Sequence, residues 1–576
     1  MARFDLVVRS GLVVDGTGAE PYEADIGVSG SRITAIGKNL DAGADEIDAR
    51  GKTVTPGFVD VHTHYDGQIT WEETLAPSSH HGVTTVVMGN CGVGFAPISR
   101  HQHDMAIRLM EGVEDIPEAV MAKGVPWTWE TFPEYLDALD TRRADIDFAA
   151  QLPHNPLRVF VMDDRGAALE PPTADDLNRM QALTAEAVRA GAIGVSTTRN
   201  FAHRYRDGRN VPSIYSEEDE ILALARGLRD AGTGVFQMAP NDRLPIEEQM
   251  QFLRRVATES RRPVSFALVQ LPDKPGAWRQ VLGDLEKARD EGLSIRGQAM
   301  PRPVGILLGL ELSLNPFTFH ASFRAIADLP LEEKLTAMRD PEVRRRILSE
   351  TPQDPHAFFV SLVEDTEGLF VLGDPPNYHP ASKDSIAAQA RAKGVPPLEL
   401  IYDTLLSREG HEIIYRPTAN REGERFESAG VELVRHPQTI LGLGDGGAHY
   451  AMICDAAYTT YFLEHWVGHE REDRRIALVD AIKMLTSVPA QAVGLNDRGR
   501  LGVGMKADIN VIDLDRLSLA APFVTYDLPA NGRRLNQEAT GYDATVVSGA
   551  ITYRMGKDTG ARLGRLVRGA REIAAI

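Results

Sequence analysis

Cysteine is nearly absent from this sequence: its 576 residues include two, Cys91 and Cys454. At most one disulfide is possible and a four-cysteine zinc module is excluded, so a reducing cytoplasm is the expected location. Excess positive charge is lacking as well, with 62 Lys and Arg against 82 Asp and Glu and a formal charge of −20. That balance repels phosphate backbones, and no nucleic-acid partner is expected. Long hydrophobic runs are missing too. The most apolar stretch, Pro303 to Phe317, is broken by Glu311 and falls short of the roughly 18 residues a membrane helix requires, so no membrane partner is expected. The first residues, from Met1 to Val8, alternate like a strand and lack the basic start and apolar core of a secretory signal. Neither internal repeats nor low-complexity tracts occur.

What is present is the composition of an ordinary globular protein, 43% hydrophobic and 25% charged. Residues 1–56 read as short strands parted by turn residues, a small β module. From Pro56 the pattern changes to apolar runs alternating with amphipathic helices, which argues for parallel βα units. Eight runs stand out: Phe58–Val61, Thr84–Gly89, Asp147–Leu152, Ile193–Ser196, Gly234–Met238, Val264–Val269, Ser294–Ala299 and Thr439–Gly444. Helices are predicted over Ala174–Ala190, Glu217–Ala231 and Ile246–Glu259. Between about residues 300 and 436 the spacing breaks into a long helix-rich, Pro-rich excursion, read as an inserted subdomain. Past a helical stretch at Asp480–Val493, β patterning returns at Ala507–Asp513 and Ala544–Ser548. The fold class is therefore α/β: a TIM-like (β/α)8 barrel over 57–495 with that insertion. A small β-sandwich is built from both chain ends, 1–56 and 496–576, since isolated short strands would leave unpaired edges.

His62-Thr-His64 ends the first strand run, and alternate residues on a strand share a face, so both imidazoles can reach one metal. With 16 histidines such a pair arises by chance about as often as not. Its place carries more weight, because barrel enzymes put reactive groups at the C-terminal ends of strands, where Asp60, His62, His64 and Asp66 run. The second pair, His101 and His103, lies in a polar, helical pattern and carries little. Asp445, in the glycine-rich run Leu441 to His449, also follows a strand. It could complete a metal site, serve as a general base, or cap its own turn. Cys91, in Val87 to Gly94, is either a small buried hydrophobe or a thiolate ligand. His154 follows the third run.

Taken together these segments resemble the amidohydrolase superfamily, and within it the N-acyl-D-amino-acid deacylase family. The pieces that carry the resemblance are Val54 to Gln68, with its Pro-Gly-Phe-Val-Asp-Val-His-Thr-His core, Gly82 to Gly92, Ala190 to Thr198, Leu485 to Leu495 and Arg498 to Asp513. The resemblance implies a metal-dependent hydrolase, D-aminoacylase-like, that cleaves the C–N amide bond of a small-molecule N-acyl compound with activated water. It implies a zinc site of His62, His64, Cys91 and Asp445, with Asp445 also catalytic. His154, Arg199, Gln237, Gln270 and His449 are the candidate substrate contacts. A homo-oligomer is expected.

Two departures shape the expectation. The family supplies a histidine after its fifth strand and another after its sixth, but Gly234–Asn241 and Pro263–Gln270 contain none. Gln237, Asn241 and Gln270 are poor zinc ligands, so one Zn2+ per chain is favoured, with two possible. The family's lysine after the sixth strand is also replaced, by Val269-Gln270. A neutral substrate (lactam, lactone, ester or N-acyl amide) is the alternative, unless Arg199, Arg204 or Arg302 supplies the charge. A barrel kept only as a scaffold is the reading from another class. The basic tail, with Arg554, Lys557, Arg562, Arg565, Arg568 and Arg571 against Asp558 and Glu572, is expected to lie across a domain or subunit surface.

Overall fold

The computed structural model describes residues 3–352, 357–421, 426–469 and 471–569; side chains of 357–359 and 426–428 are also outside the description. All eight barrel strands fall where the apolar runs place them. They are β1 (Phe58–Asp60), β2 (Val83–Met88), β3 (Asp147–Ala150, continued by Leu152–Pro153), β4 (Gly194–Thr198), β5 (Val235–Ala239), β6 (Val264–Leu268), β7 (Ile295–Ala299) and β8 (Thr439–Leu441). Helices outside and side chains inside cover both faces of each strand, which is why runs such as Val83-Thr-Thr-Val-Val-Met88 are buried along their whole length. Parallel ladders join β1 to β2 to β3 and β4 through β8 in order. Strand β3 serves both sets. Its first part pairs with β2, its second with β4, and the break is Gln151, whose N–H still donates to Met88 O.

The helix Ala174–Ala190 matches its expected bounds because its ends are written in the sequence. Thr173 and Asp176 form a reciprocal cap worth about 1 kcal/mol, and Gly191 ends the helix. Met180, Thr184, Ala187 and Val188 are buried, with Thr184 close against Gly227 of the next helix. Helices Glu218–Ala231 and Ile246–Ser260 fall within a residue of their expected bounds, without a side-chain cap at their N-termini.

The excursion after β7 is more mixed than its composition suggests. Besides helices Leu331–Arg339, Pro341–Ser349, Ile386–Lys393 and Pro397–Leu406, it holds an antiparallel sheet in which Ile414–Ala419 pairs with both Val304–Leu308 and Phe370–Val371. Its own core gathers Leu308, Phe317, Met338, Ile347, Ile401, Tyr402 and Ile414. The apolar run from Pro303 is thus a strand and loop in this core. Among the described residues no helix is long and apolar enough to cross a membrane.

Both chain ends meet in one hydrogen-bonded sheet of nine strands. The joint is Thr53–Pro56 antiparallel to Ile509–Ile512, and Leu6, Val8, Ile26, Val54, Ile509, Val511 and Val546 fill the core beneath it. A hairpin of Phe523–Leu528 and Gly532–Asn536 lies in what reads as loop, because neither strand shows a clean alternation of buried and exposed residues. It reaches back to the barrel: Leu535 N–H donates to Tyr450 O, and Arg534 pairs with Glu72. The basic tail is spent on this chain's own acids. Arg562 pairs with Asp558, Arg568 with Asp137 and Asp140, and the Arg565 N–H donates to Asp147. Arg571 and Glu572 lie outside the described residues.

Candidate active site

The period of a strand delivers two imidazoles to one place. Past the end of β1, His62 and His64 point the same way while Thr63 turns back, its N–H and hydroxyl both donating to Val87 O. Asp60 pins this bend by accepting the His62 N–H at 3.0 Å. Its second oxygen has no partner, and burial lifts the carboxyl to about 7. Cys91 arrives on the turn after β2 in a left-handed conformation, φ 54°. A Cβ on Gly89 would stand 2.3 Å from the Gln151 carbonyl oxygen, so only glycine lets that turn lie so close to β3. Asp445 follows β8, and a Cβ on Gly447 would meet the His64 carbonyl carbon at 2.8 Å. Glycine there brings the last loop onto the first. The barrel seam closes through the Asp445 N–H to His62 O, 3.1 Å, and the His64 N–H to Gly446 O, 2.8 Å.

Four side chains converge at this seam. His62 Nε2 lies 3.3 Å from Cys91 Sγ and 3.4 Å from Asp445 Oδ1, and His64 Nε2 lies 3.5 Å from the same oxygen. Donor atoms of His62, His64 and Cys91 all fall within 4.8 Å of one another. The histidines and cysteine are buried, whereas the Asp445 side chain is 22% exposed and faces the opening. Burial alone would drive both imidazoles neutral. The facing Cys91 and Asp445 overcome it and lift His62 to about 9, while Glu114, Asp445 and Cys91 raise His64 well above its ordinary range. In return, and against burial, the imidazoles hold Asp445 far below the usual carboxylate range and Cys91 below the usual thiol value. The two imidazoles and the two acidic side chains thus favour one another's charged forms. A nitrogen, sulfur and oxygen donor set gathered this closely suits zinc, so the residues fit a metal.

Several residues that shape this cluster carry no motif. Gln298, on β7, faces His62 Nδ1 with its Oε1 at 2.6 Å. Glu114 ends the helix His103–Glu114 and is buried between two histidines, with Oε1 3.4 Å from His64 Nδ1 and Oε2 3.6 Å from His449 Nε2. Asp66 accepts the Gly89 N–H, and burial raises its carboxyl to about 7. His203 bonds Thr198 Oγ1 through Nδ1 and is pushed down to about 3 by burial and by His449 and His64 nearby. For Gln298 a signal existed, a polar side chain on an otherwise buried strand; for Glu114 there was none.

The expected substrate contacts divide. His449 stands beside the cluster on Glu114, and its N–H donates to the Glu114 carbonyl. Gln237 is buried next to Cys91, with Oε1 accepting the Cys91 N–H at 3.0 Å and Nε2 left without a partner. Gln270 is held by Asn420 and the Leu271 carbonyl, its Oε1 unpartnered. The other two have other contacts. His154 is fully buried with both ring nitrogens used, Nδ1 on Thr197 at 2.8 Å and Nε2 on Glu220 at 2.9 Å, so it has no atom to offer a substrate. Arg199, one residue past β4, lies over the Phe252 ring at 5.0 Å. Arg302 pairs with Asp455 and stacks on Tyr378, and Arg204 Nε donates to Phe201 O. The second histidine pair is elsewhere, His101 on Asp163 and His103 stacked on Trp127.

Known proteins bear on this geometry. The amidohydrolase family model matches residues 45–553. An N-acyl-D-glutamate deacylase of Alcaligenes xylosoxydans xylosoxydans is 27% identical over 575 residues, covering 99% of this chain and 98% of the relative. A D-aminoacylase of the same organism is 34% identical over 234 residues, 40% of this chain and 43% of that one. Among solved structures, a D-aminoacylase superposes with a TM-score of 0.66 at 23% identity, over 98% of this chain and 100% of that one, a likeness of fold.

Proposed function

The chain belongs to the amidohydrolase family, and from that premise we propose that it hydrolyses the C–N bond of a small N-acyl compound at the His62, His64, Cys91 and Asp445 cluster. One observation carries the assignment: Asp445 Oδ1 lies within 3.5 Å of Nε2 of both histidines at the open end of a β-barrel. His62, His64 and Asp445 would hold one divalent metal, zinc in the first instance, with Cys91 as a fourth donor. When bound, the ion supplies the Lewis acidity that polarises a carbonyl and eases loss of a proton from water. Asp445, the one carboxylate of the cluster open to the mouth, takes the proton from the attacking water and returns it to the leaving nitrogen. Glu114 holds the His64 ring from behind, and His449 is placed to contact the acyl group.

A second metal has little to bind. Where the resemblance calls for histidines, Gln237 spends its carbonyl oxygen on the Cys91 N–H, and Gln270 offers only a neutral amide oxygen, a poor zinc ligand. The substrate is read as neutral near the scissile bond, because the buried guanidinium of Arg302 is already paired with Asp455. The experiment is elemental analysis of purified protein together with a screen of N-acyl amides before and after chelation. One metal per chain and chelator-sensitive amide hydrolysis are expected. Hydrolysis that persists in metal-free protein overturns the reading.

A further inference from the structure

A histidine can give its Nε2 lone pair to a cation only when the ring proton sits on Nδ1, and the partner of Nδ1 decides where that proton sits. For His62 the partner is Gln298, whose Oε1 lies 2.6 Å away inside the barrel with the side chain 2% exposed. The amide's other end donates from Nε2 to Ser265 Oγ on β6 at 3.1 Å. An amide is two-faced. Turned over, it would aim an N–H at Nδ1, draw the lone pair there and send the ring proton to Nε2. That proton would then face Cys91 Sγ and Asp445 Oδ1, and the nitrogen would be closed to a metal. A carboxylate at this place would accept the same N–H in either orientation, but it would add a negative charge and make the ring a stronger donor.

Resting on the proposed function, we infer that Gln298, with its Oε1 set against Nδ1, is a positioning residue that favours the His62 tautomer presenting Nε2 to the metal. It orients the ring without adding charge, so the ion keeps more of its acidity than a carboxylate-backed ligand would leave it. Glu114 is the contrast within the same site, a carboxylate behind His64.

The test measures metal affinity of the full chain by chelator competition, with zinc and with cobalt, whose absorption spectrum reports the ligand field. Gln298→Leu is expected to weaken binding by about 10- to 100-fold and to shift the cobalt bands. Gln298→Glu, of the same size, is expected to bind more tightly than wild type while lowering turnover, a rescue that a merely structural role would not give. If the leucine variant fails to fold, the glutamate variant alone decides: affinity no greater than wild type overturns the inference. So does a folded leucine variant with wild-type affinity and spectrum. A wild-type chain that takes up no metal at His62 overturns the proposed function itself, and this inference with it.

Discussion

Replacing Asp445 by Asn removes one charge and alters almost nothing else. The two side chains have the same shape, the N–H that closes the seam on His62 O is untouched, and the side chain is partly open to solvent, so no core contact is lost. The loss is chemical. His62 and His64 hold the Asp445 carboxyl far below the usual carboxylate range, and the amide can neither accept a proton nor balance their positive charge. Losing a general base costs about 10²- to 10⁴-fold in rate, and each factor of ten corresponds to about 1.4 kcal/mol of barrier, so a 10²-fold loss is about 2.7 kcal/mol. Because the same oxygen lies 3.4 and 3.5 Å from the two histidine nitrogens, the variant is also expected to hold metal less firmly. The assay therefore measures turnover at saturating metal, beside the metal content of the same sample. A metal-loaded Asp445→Asn protein that turns over within about threefold of wild type refutes the argument, since the effects invoked begin at about 10²-fold.

His62→Ala is expected to abolish tight metal binding by elemental analysis; two metals retained per chain would reveal a site built from other residues. A neutral N-acyl amide or ester is expected to be hydrolysed in preference to the matching free acid, since apolar burial gains about 25 cal/mol per Å² while an unpaired carboxylate is costly to desolvate. Strong preference for the free acid in a kcat/KM comparison contradicts this. Glu220→Gln is expected to destabilise the fold by about 3 kcal/mol, because it leaves Arg158 and His154 buried without their carboxylate. Against burial, those two partners hold the Glu220 carboxyl at about 2 rather than its ordinary 4.5, so its contribution is complete above about pH 4.5 and fades as pH falls toward 2. Denaturant unfolding of wild type and variant at pH 7 and pH 3 reads the difference, and a gap that grows on acidification is the wrong sign.

The eight barrel strands were legible because each is buried on both faces and so spells a short apolar run between helices. His62 and His64 were legible because a two-residue period leaves both on one side. Glu114 was not, since an acid at the end of an amphipathic helix in an acidic chain looks like any solvated residue, and only the fold turns it inward. His154 misled in the opposite sense: its place after a strand suggested chemistry, while Thr197 and Glu220, 43 and 66 residues on, had already satisfied it. The hairpin ending at Asn536 escaped because its stability comes from contact with the barrel mouth rather than from its own pattern. The antiparallel sheet in the insertion escaped because its strands, Val304–Leu308 and Ile414–Ala419, lie more than one hundred residues apart in the chain.

The joint between Thr53–Pro56 and Ile509–Ile512 puts a delay into the making of this protein. The first half of the sheet leaves the ribosome about 450 residues before the strand that completes it, roughly 20 to 90 s at ordinary rates of synthesis. Through that interval Val54 and its apolar neighbours border an unfilled strand position, where any extended chain could dock. Pro56, with no N–H to offer, shortens the exposed ladder at one end. The nascent barrel shares the wait, because His62 and His64 are in place long before Asp445 is synthesised. Until the last strand arrives the chain has neither a closed sheet nor the full cluster of His62, His64, Cys91 and Asp445, and both are completed within its final quarter.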